Sequence, residues 1–184
     1  MVSDRDVIEE NRQLLTGRRE FLRARPDDAG RLGMEALCAA ELCALVELQV
    51  NRAADCSTPL FRFCQPDAIL AKVLQPLESA QGAPLRTEVD ALIEAENELL
   101  LINRWNAARV SPLHCESLLG LSHTLVERLR AATIGDLRQA ARRGVRLCGF
   151  GPGHQYLFHA GRNMSLHRSS RTVLAVCASA GRTP

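Results

Sequence analysis

A mainly α-helical protein with a helix-turn-helix-like segment is predicted by three observations. Apolar residues recur at helical spacing through most of the chain, proline and glycine break that pattern at intervals, and residues suited to helix caps stand at several of the breaks. Alternation of apolar and polar residues is confined to the C-terminal part, which allows a small β-hairpin there. With 184 residues, 46% hydrophobic and 24% charged, the chain can build one core or two small helical units. It contains no run of about eighteen apolar residues and begins with acids rather than a cationic and then apolar segment, so a cytoplasmic protein without a membrane span is expected.

Residues 4–25 place Val7, Ile8, Leu14, Leu15, Phe21 and Leu22 at roughly helical spacing and end at Arg25-Pro26, where a helix breaks. Residues 33–54 resume helical character, with Leu37, Leu42, Leu45, Val46, Leu48 and Val50 apolar nearly all round. That pattern predicts one helix, buried or at a subunit interface. After a break at Cys56-Ser57-Thr58-Pro59, a shorter helix from Pro66-Asp67 carries Ile69, Leu70, Val73 and Leu74, and Pro76 disturbs its end. Ser79 to Arg86 reads as a linker.

Thr87 with Asp90 opens a long helix through about Arg109, whose apolar set is Leu92, Ile93, Leu99, Leu100, Ile102 and Trp105. Ser111-Pro112, a short helix over 113–119 and Gly120-Leu121-Ser122 follow. Further helices run to Ala131 and from Thr133 to Arg143, where Gly144 is placed to stop the last. Val145 to Phe150 is a candidate strand and Gly151-Pro152-Gly153 a turn. Gln155 to His159 is a returning strand or a short helix, and Thr172 to Ala178 a further candidate strand. The expected division is an N-terminal helical region over 1–86, a helical unit over 87–160 and a basic segment over 161–184.

The net charge of +2 conceals a polarised chain: residues 1–136 sum to −6, whereas 137–184 hold eight arginines and no acid. An acid-free basic end suits a polyanion, and a solvated tail has the same appearance. The seven cysteines include no Cys-x-x-Cys pair, which argues for reduced core thiols over a disulfide framework or a structural zinc site. Cys148, His154, His159 and His167 match no metal-binding spacing, so no metal or cofactor is expected. Paired carboxylates and nucleophile motifs are likewise missing, and no enzyme is expected.

Ser117 to Arg130 has the logic of a helix-turn-helix: an apolar helix end, Gly120 at the turn, Leu121 as a plug and Ser122 as the cap of the next helix. Leu125, Val126 and Leu129 would face the core. His123, Thr124, Glu127, Arg128 and Arg130 would face outwards, where a recognition helix meets a major groove. Arg138, Arg142, Arg143 and Arg146 follow as candidate phosphate contacts.

From Glu98-Leu99-Leu100-Leu101-Ile102-Asn103-Arg104, through Leu119-Gly120-Leu121-Ser122 and Thr133-Ile134-Gly135-Asp136-Leu137, to Leu147-Cys148-Gly149-Phe150, the chain resembles the FlhD family, the DNA-binding regulatory subunit of the bacterial flagellar master activator. The resemblance covers about a third of the chain, roughly residues 98–158. It implies an all-helical dimeric protein that binds double-stranded DNA and activates transcription with a zinc-containing FlhC-type partner, with Cys148 at the dimer interface. The chain departs from the family in an N-terminal extension of about ninety residues, in a longer Trp105–His114 segment and in the glycine-rich turn after Phe150.

Leu60 to Leu70 also echoes Ser117 to Val126 at an offset of 56, and Val50-Asn51-Arg52 echoes Ile102-Asn103-Arg104, a pattern expected of a degenerate internal duplication. Two functions follow from these readings: a transcription regulator subunit acting as a homo-oligomer or with an FlhC-type partner, and a helical adaptor or antagonist that has lost DNA binding. The broad apolar faces of 33–54 and 87–109 motivate the second.

Overall fold

Two long helices carry the fold, each opened by a capping box. In the first, α1 (Asp4–Ala24), the Ser3 hydroxyl accepts from the Asp6 N–H while the Asp6 carboxylate accepts from the Ser3 N–H. In α5 (Glu88–Val110), Thr87 and Asp90 repeat the exchange. The computed structural model describes residues 3–75 and 86–180. After α1 come a 3-10 turn (Pro26–Ala29), α2 (Ala36–Ala44), α3 (Glu47–Ala54), strand β1 (Phe61–Phe63) and α4 (Asp67–Val73). After α5 come α6 (Pro112–Leu118), α7 (His123–Ala131), α8 (Ile134–Ala141), strand β2 (Cys148–Phe150), α9 (His154–Arg162) and α10 (Arg168–Ala180). The protein is mainly α-helical, as its sequence predicts, and has one two-stranded antiparallel sheet of β1 and β2.

The second half of this order repeats the first. At an offset of 86, Glu10-Asn11-x-x-Leu14-Leu15-x-x-Arg18 in α1 matches Glu96-Asn97-x-x-Leu100-Leu101-x-x-Arg104 in α5, and Pro26 matches Pro112. One extra residue lies before Gly120, and from there the offset is 87. Gly33 and Gly120 share a left-handed backbone (φ 67° and 66°), α2 and α7 have nine residues each, α3 and α8 eight each, and β1 and β2 three each. The offset of 56 sets strand β1 on helix α6. It is replaced by this longer period, which sets like on like.

Buried asparagines make the correspondence atomic. The Asn11 amide donates to the carbonyls of Ala54 (3.4 Å) and Thr58 (3.0 Å), and its oxygen accepts from the Leu60 N–H (2.8 Å). Asn97 donates to Ala141 (3.4 Å) and Val145 (2.8 Å) and accepts from Leu147 (2.8 Å) and Cys148 (3.2 Å). Each backbone group bound by Asn11 lies 87 residues before one bound by Asn97, and the Asn11 amide also lies 3.5 Å from the Cys56 sulfur.

The chain divides into two compact units, Phe63–Cys148 and Ser3–Arg62 with Gly149 onward, in place of the sequential division expected. Each unit takes its closing helix from the other repeat. In the Phe63–Cys148 unit, α4 packs on α7, and Leu70 and Val73 join Leu101, Leu125, Leu129 and Leu137 in one core. In the other unit α9 packs on α2 and α3, burying Tyr156, Leu157, Ala160 and Gly161, with the Tyr156 hydroxyl donating to the Ala53 carbonyl at 2.6 Å. Burial of this ring pushes the Tyr156 phenol far above its ordinary range. The division between the units falls inside both strands. Hydrogen bonds from Cys64 N–H to Leu147 O and from Gly151 N–H to Leu60 O, both 2.9 Å, flank the sheet.

Three local expectations are corrected. Residues 33–54 are not one helix: Leu45 and Val46 are extended and separate α2 from α3, because Arg19 Nε takes the Leu45 carbonyl at 2.7 Å and the Gln49 side chain accepts the Val46 N–H at 3.0 Å. The partner of β2 is β1, not a returning strand, and Gln155 to His159 lies in helix α9. Thr172 to Ala178 is helical in α10, whose Arg168 and Arg171, one turn apart, both bind the Asp55 carboxylate. The linker reading at 79–85 and the break at Pro76 lie outside the described residues.

Replacing Asn97 by leucine strands two buried donors and two carbonyls. A stability loss on the order of 3 kcal/mol is expected, with Asn97→Asp also destabilising because a carboxylate cannot donate; denaturant midpoints check both. A Cβ on Gly161 would sit 3.0 Å from Leu45 Cδ1 and 3.3 Å from the Gln49 carbonyl. Gly161→Leu is therefore expected to lower stability by about 1–3 kcal/mol through overpacking.

Candidate functional site

The α6–α7 segment forms a tight helical hairpin. Gly120, with φ at +66°, makes the turn without the penalty a side chain would bring, and the Leu121 N–H closes it on the Cys115 carbonyl at 3.2 Å. The Ser122 hydroxyl accepts from the Leu125 N–H at 3.3 Å and so caps α7. Leu125, Val126 and Leu129 are buried, whereas His123, Thr124, Glu127, Arg128 and Arg130 are exposed. The predicted inward and outward sets are thus separated onto two faces of one capped helix.

The outward face is polar but not a bare cationic patch. His123 Nδ1 lies 2.8 Å from a Glu116 carboxylate oxygen, a hydrogen bond that pushes the imidazole above its ordinary pKa. Arg130 pairs with Glu127 at 2.8 Å. On α8 and its C-terminal end, Arg138 pairs with Glu98 at 3.0 Å and Arg142 with Glu94 at 2.8 Å, both acids standing one turn apart on α5. All these arginines remain exposed. Ion pairs of this kind are worth about 0–1 kcal/mol, so a phosphate can replace either acid.

Arg143, a predicted phosphate contact, and Arg128, a predicted outward residue of α7, both have structural work. Arg143 donates to the carbonyls of Lys72 (2.7 Å) and Gln75, and Arg128 donates to that of Ala71 (3.1 Å), so the pair grips the C-terminal end of α4. Arg146 is half-buried, and its carbonyl accepts from the Gln65 amide at 2.9 Å. Trp105 holds the bend between α7 and α8 by donating to the Ala132 carbonyl at 2.9 Å. Glu94, Glu98 and Glu116, which set the electrostatics of this face, escape sequence reasoning because their partners lie 7 to 48 residues away.

Cys148, placed by the family resemblance at a dimer interface, is fully buried within its own chain beside the Asn97 bracket. It forms no disulfide within the chain and cannot reach a second chain without local opening. Among the described residues, no three His, Cys, Asp or Glu side chains converge as metal ligands, so Cys148, His154, His159 and His167 form no cluster. No described helix is long and apolar enough to cross a membrane. An open groove of about 830 Å³ lies along the start of α1, lined in part by Arg5, Glu9, Arg12, Arg52, Asp55 and Arg168. Its charges are largely matched internally, Arg12 with Glu9 and Arg168 with Asp55. The chain matches no protein family, no curated protein and no solved structure.

Because Glu116 favours the imidazolium, His123 carries charge at pH values where an ordinary histidine has lost it. That charge is present below the raised pKa and disappears as pH climbs through it. Glu116→Gln should lower the titration midpoint of His123 towards the usual histidine value, as followed by NMR of the ring protons.

Proposed function

We propose that the chain is a cytoplasmic, DNA-binding transcription regulator subunit that presents α7 to the major groove of duplex DNA. The observation that carries the reading is the division of α7: a capped, nine-residue helix at a glycine turn, anchored by Leu125, Val126 and Leu129 and polar on the opposite side. His123, Thr124, Glu127 and Arg130 are its candidate base contacts. Arg138 and Arg142 supply phosphate contacts by exchanging a weak carboxylate partner for a strong one. Arg128 and Arg143 act mainly in holding the C-terminal end of α4. The resemblance to the FlhD family adds an FlhC-type subunit as partner and transcription activation, including of flagellar genes, as the outcome.

The second reading is a helical adaptor that has lost DNA binding. It is favoured by the internal partners of the arginines and by Val46 and Leu48, which are more than half exposed (54% and 58%) in the segment that reads as apolar all round. A mobility-shift titration separates the two. A DNA-binding subunit loses affinity steeply with salt, and Arg138→Glu with Arg142→Glu reduces the log–log salt slope by about two. Absence of any shift at low salt, with and without an FlhC-type partner, would support the adaptor.

A further inference from the structure

The duplication allows each outward position of α7 to be compared with its counterpart on α2, 87 residues earlier. The inward positions are equivalent: Cys38, Ala39 and Leu42 are buried where Leu125, Val126 and Leu129 are buried. The outward positions are not. Ala36 stands for His123, Leu37 for Thr124, Ala40 for Glu127, Glu41 for Arg128 and Cys43 for Arg130. The one charged residue of this set, Glu41, is bound to Arg162 of α9 at 2.7 Å. Arg138 and Arg142 have Asn51 and Asp55 as counterparts, and Asp55 is taken by Arg168 and Arg171 of α10. One copy therefore offers donors and acceptors to base edges and phosphates. The other has a helix of the same length, buried residues at the same three positions and, on the outward face of α2, only Glu41 as a polar group, which Arg162 engages.

From this inequality, and resting on the DNA-binding reading above, we infer that the chain recognises a single, non-palindromic duplex half-site through α7, with α2 as a retained but non-reading copy. Dimeric helix-turn-helix proteins read two half-sites because two equal recognition helices are present, and operator symmetry mirrors protein symmetry. Here the duplication supplies two helices of equal architecture, but a helix presenting alanine, leucine and cysteine cannot satisfy hydrogen-bonding groups on bases.

The test uses the full chain and a pool of short duplexes randomised in sequence. The expected results are a selected motif without two-fold symmetry and a saturating ratio of one duplex per chain. Thr124→Ala with Arg130→Ala should weaken binding to the selected duplex by about tenfold or more, whereas the position-matched Leu37→Ala with Cys43→Ala should change it less than twofold. A palindromic motif, two duplexes per chain, or equal losses in the two variants would overturn the inference while leaving DNA binding intact. Failure of the wild-type chain to retain any duplex would overturn the DNA-binding reading and this inference together. Motif symmetry and stoichiometry are read on the wild-type chain, so the result does not depend on the variants folding.

Discussion

Each unit depends on one buried amide. An asparagine in the long helix faces a loop that has left α3 or α8 and has not yet entered its strand, where backbone groups have no ladder to join. Burying such groups unpaired would cost roughly 1–3 kcal/mol each. Asn11 and Asn97 each supply a donor to two carbonyls and an acceptor to at least one N–H, so a single side chain settles three or four backbone groups. The helix, the loop and the strand entry are thereby locked in one register, and the strand in turn fixes where the closing helix begins. The asparagine amide brings two N–H donors and a separate acceptor oxygen in a short side chain, where a hydroxyl would bring a single donor.

Around that constraint the two copies have diverged in ways that keep the backbone. The bend between α2 and α3 and the bend between α7 and α8 both need a donor for the carbonyl just before the second helix. In the first copy it comes from the Arg19 guanidinium and in the second from the Trp105 indole, at corresponding positions of the long helix. The grip on the closing helix is conserved in place and altered in chemistry as well: Glu41 binds the Arg162 guanidinium in one unit, and Arg128 binds the Ala71 carbonyl in the other. Surface chemistry has drifted further than either, since outward side chains answer to solvent or to a ligand and not to the core.

This pattern explains what could be read from the sequence. The long helix α5 and the α7 cap are legible because Thr87 with Asp90 and Ser122 are local signals of helix starts, and α1 is legible from its apolar spacing. The bend at Leu45-Val46 is not, because its stabilising groups are Gln49 and the distant Arg19, and Val46 itself has no capping oxygen. The true period was obscured by the one-residue difference before Gly120, which breaks the register between the asparagine motif and everything after it. Similar helical spacing then made a false echo at 56 look plausible. At the candidate site, the inward and outward division of α7 follows from its periodicity alone. The engagement of Arg138, Arg142 and Arg143 does not, since it requires knowing which helix lies alongside.

The exchange of closing helices has a consequence for synthesis. The Phe63–Cys148 unit is continuous in the chain, whereas the other needs α9, which follows Gly149. On the ribosome, α1 to α3 emerge first yet cannot be covered at Leu45 and Ala53 until Gly161 and Tyr156 arrive. The nascent chain therefore completes its middle before its beginning, and an early segment waits with an apolar surface open. Contacts spanning so much sequence slow folding, and an open surface of this kind is where aggregation or a chaperone would act first.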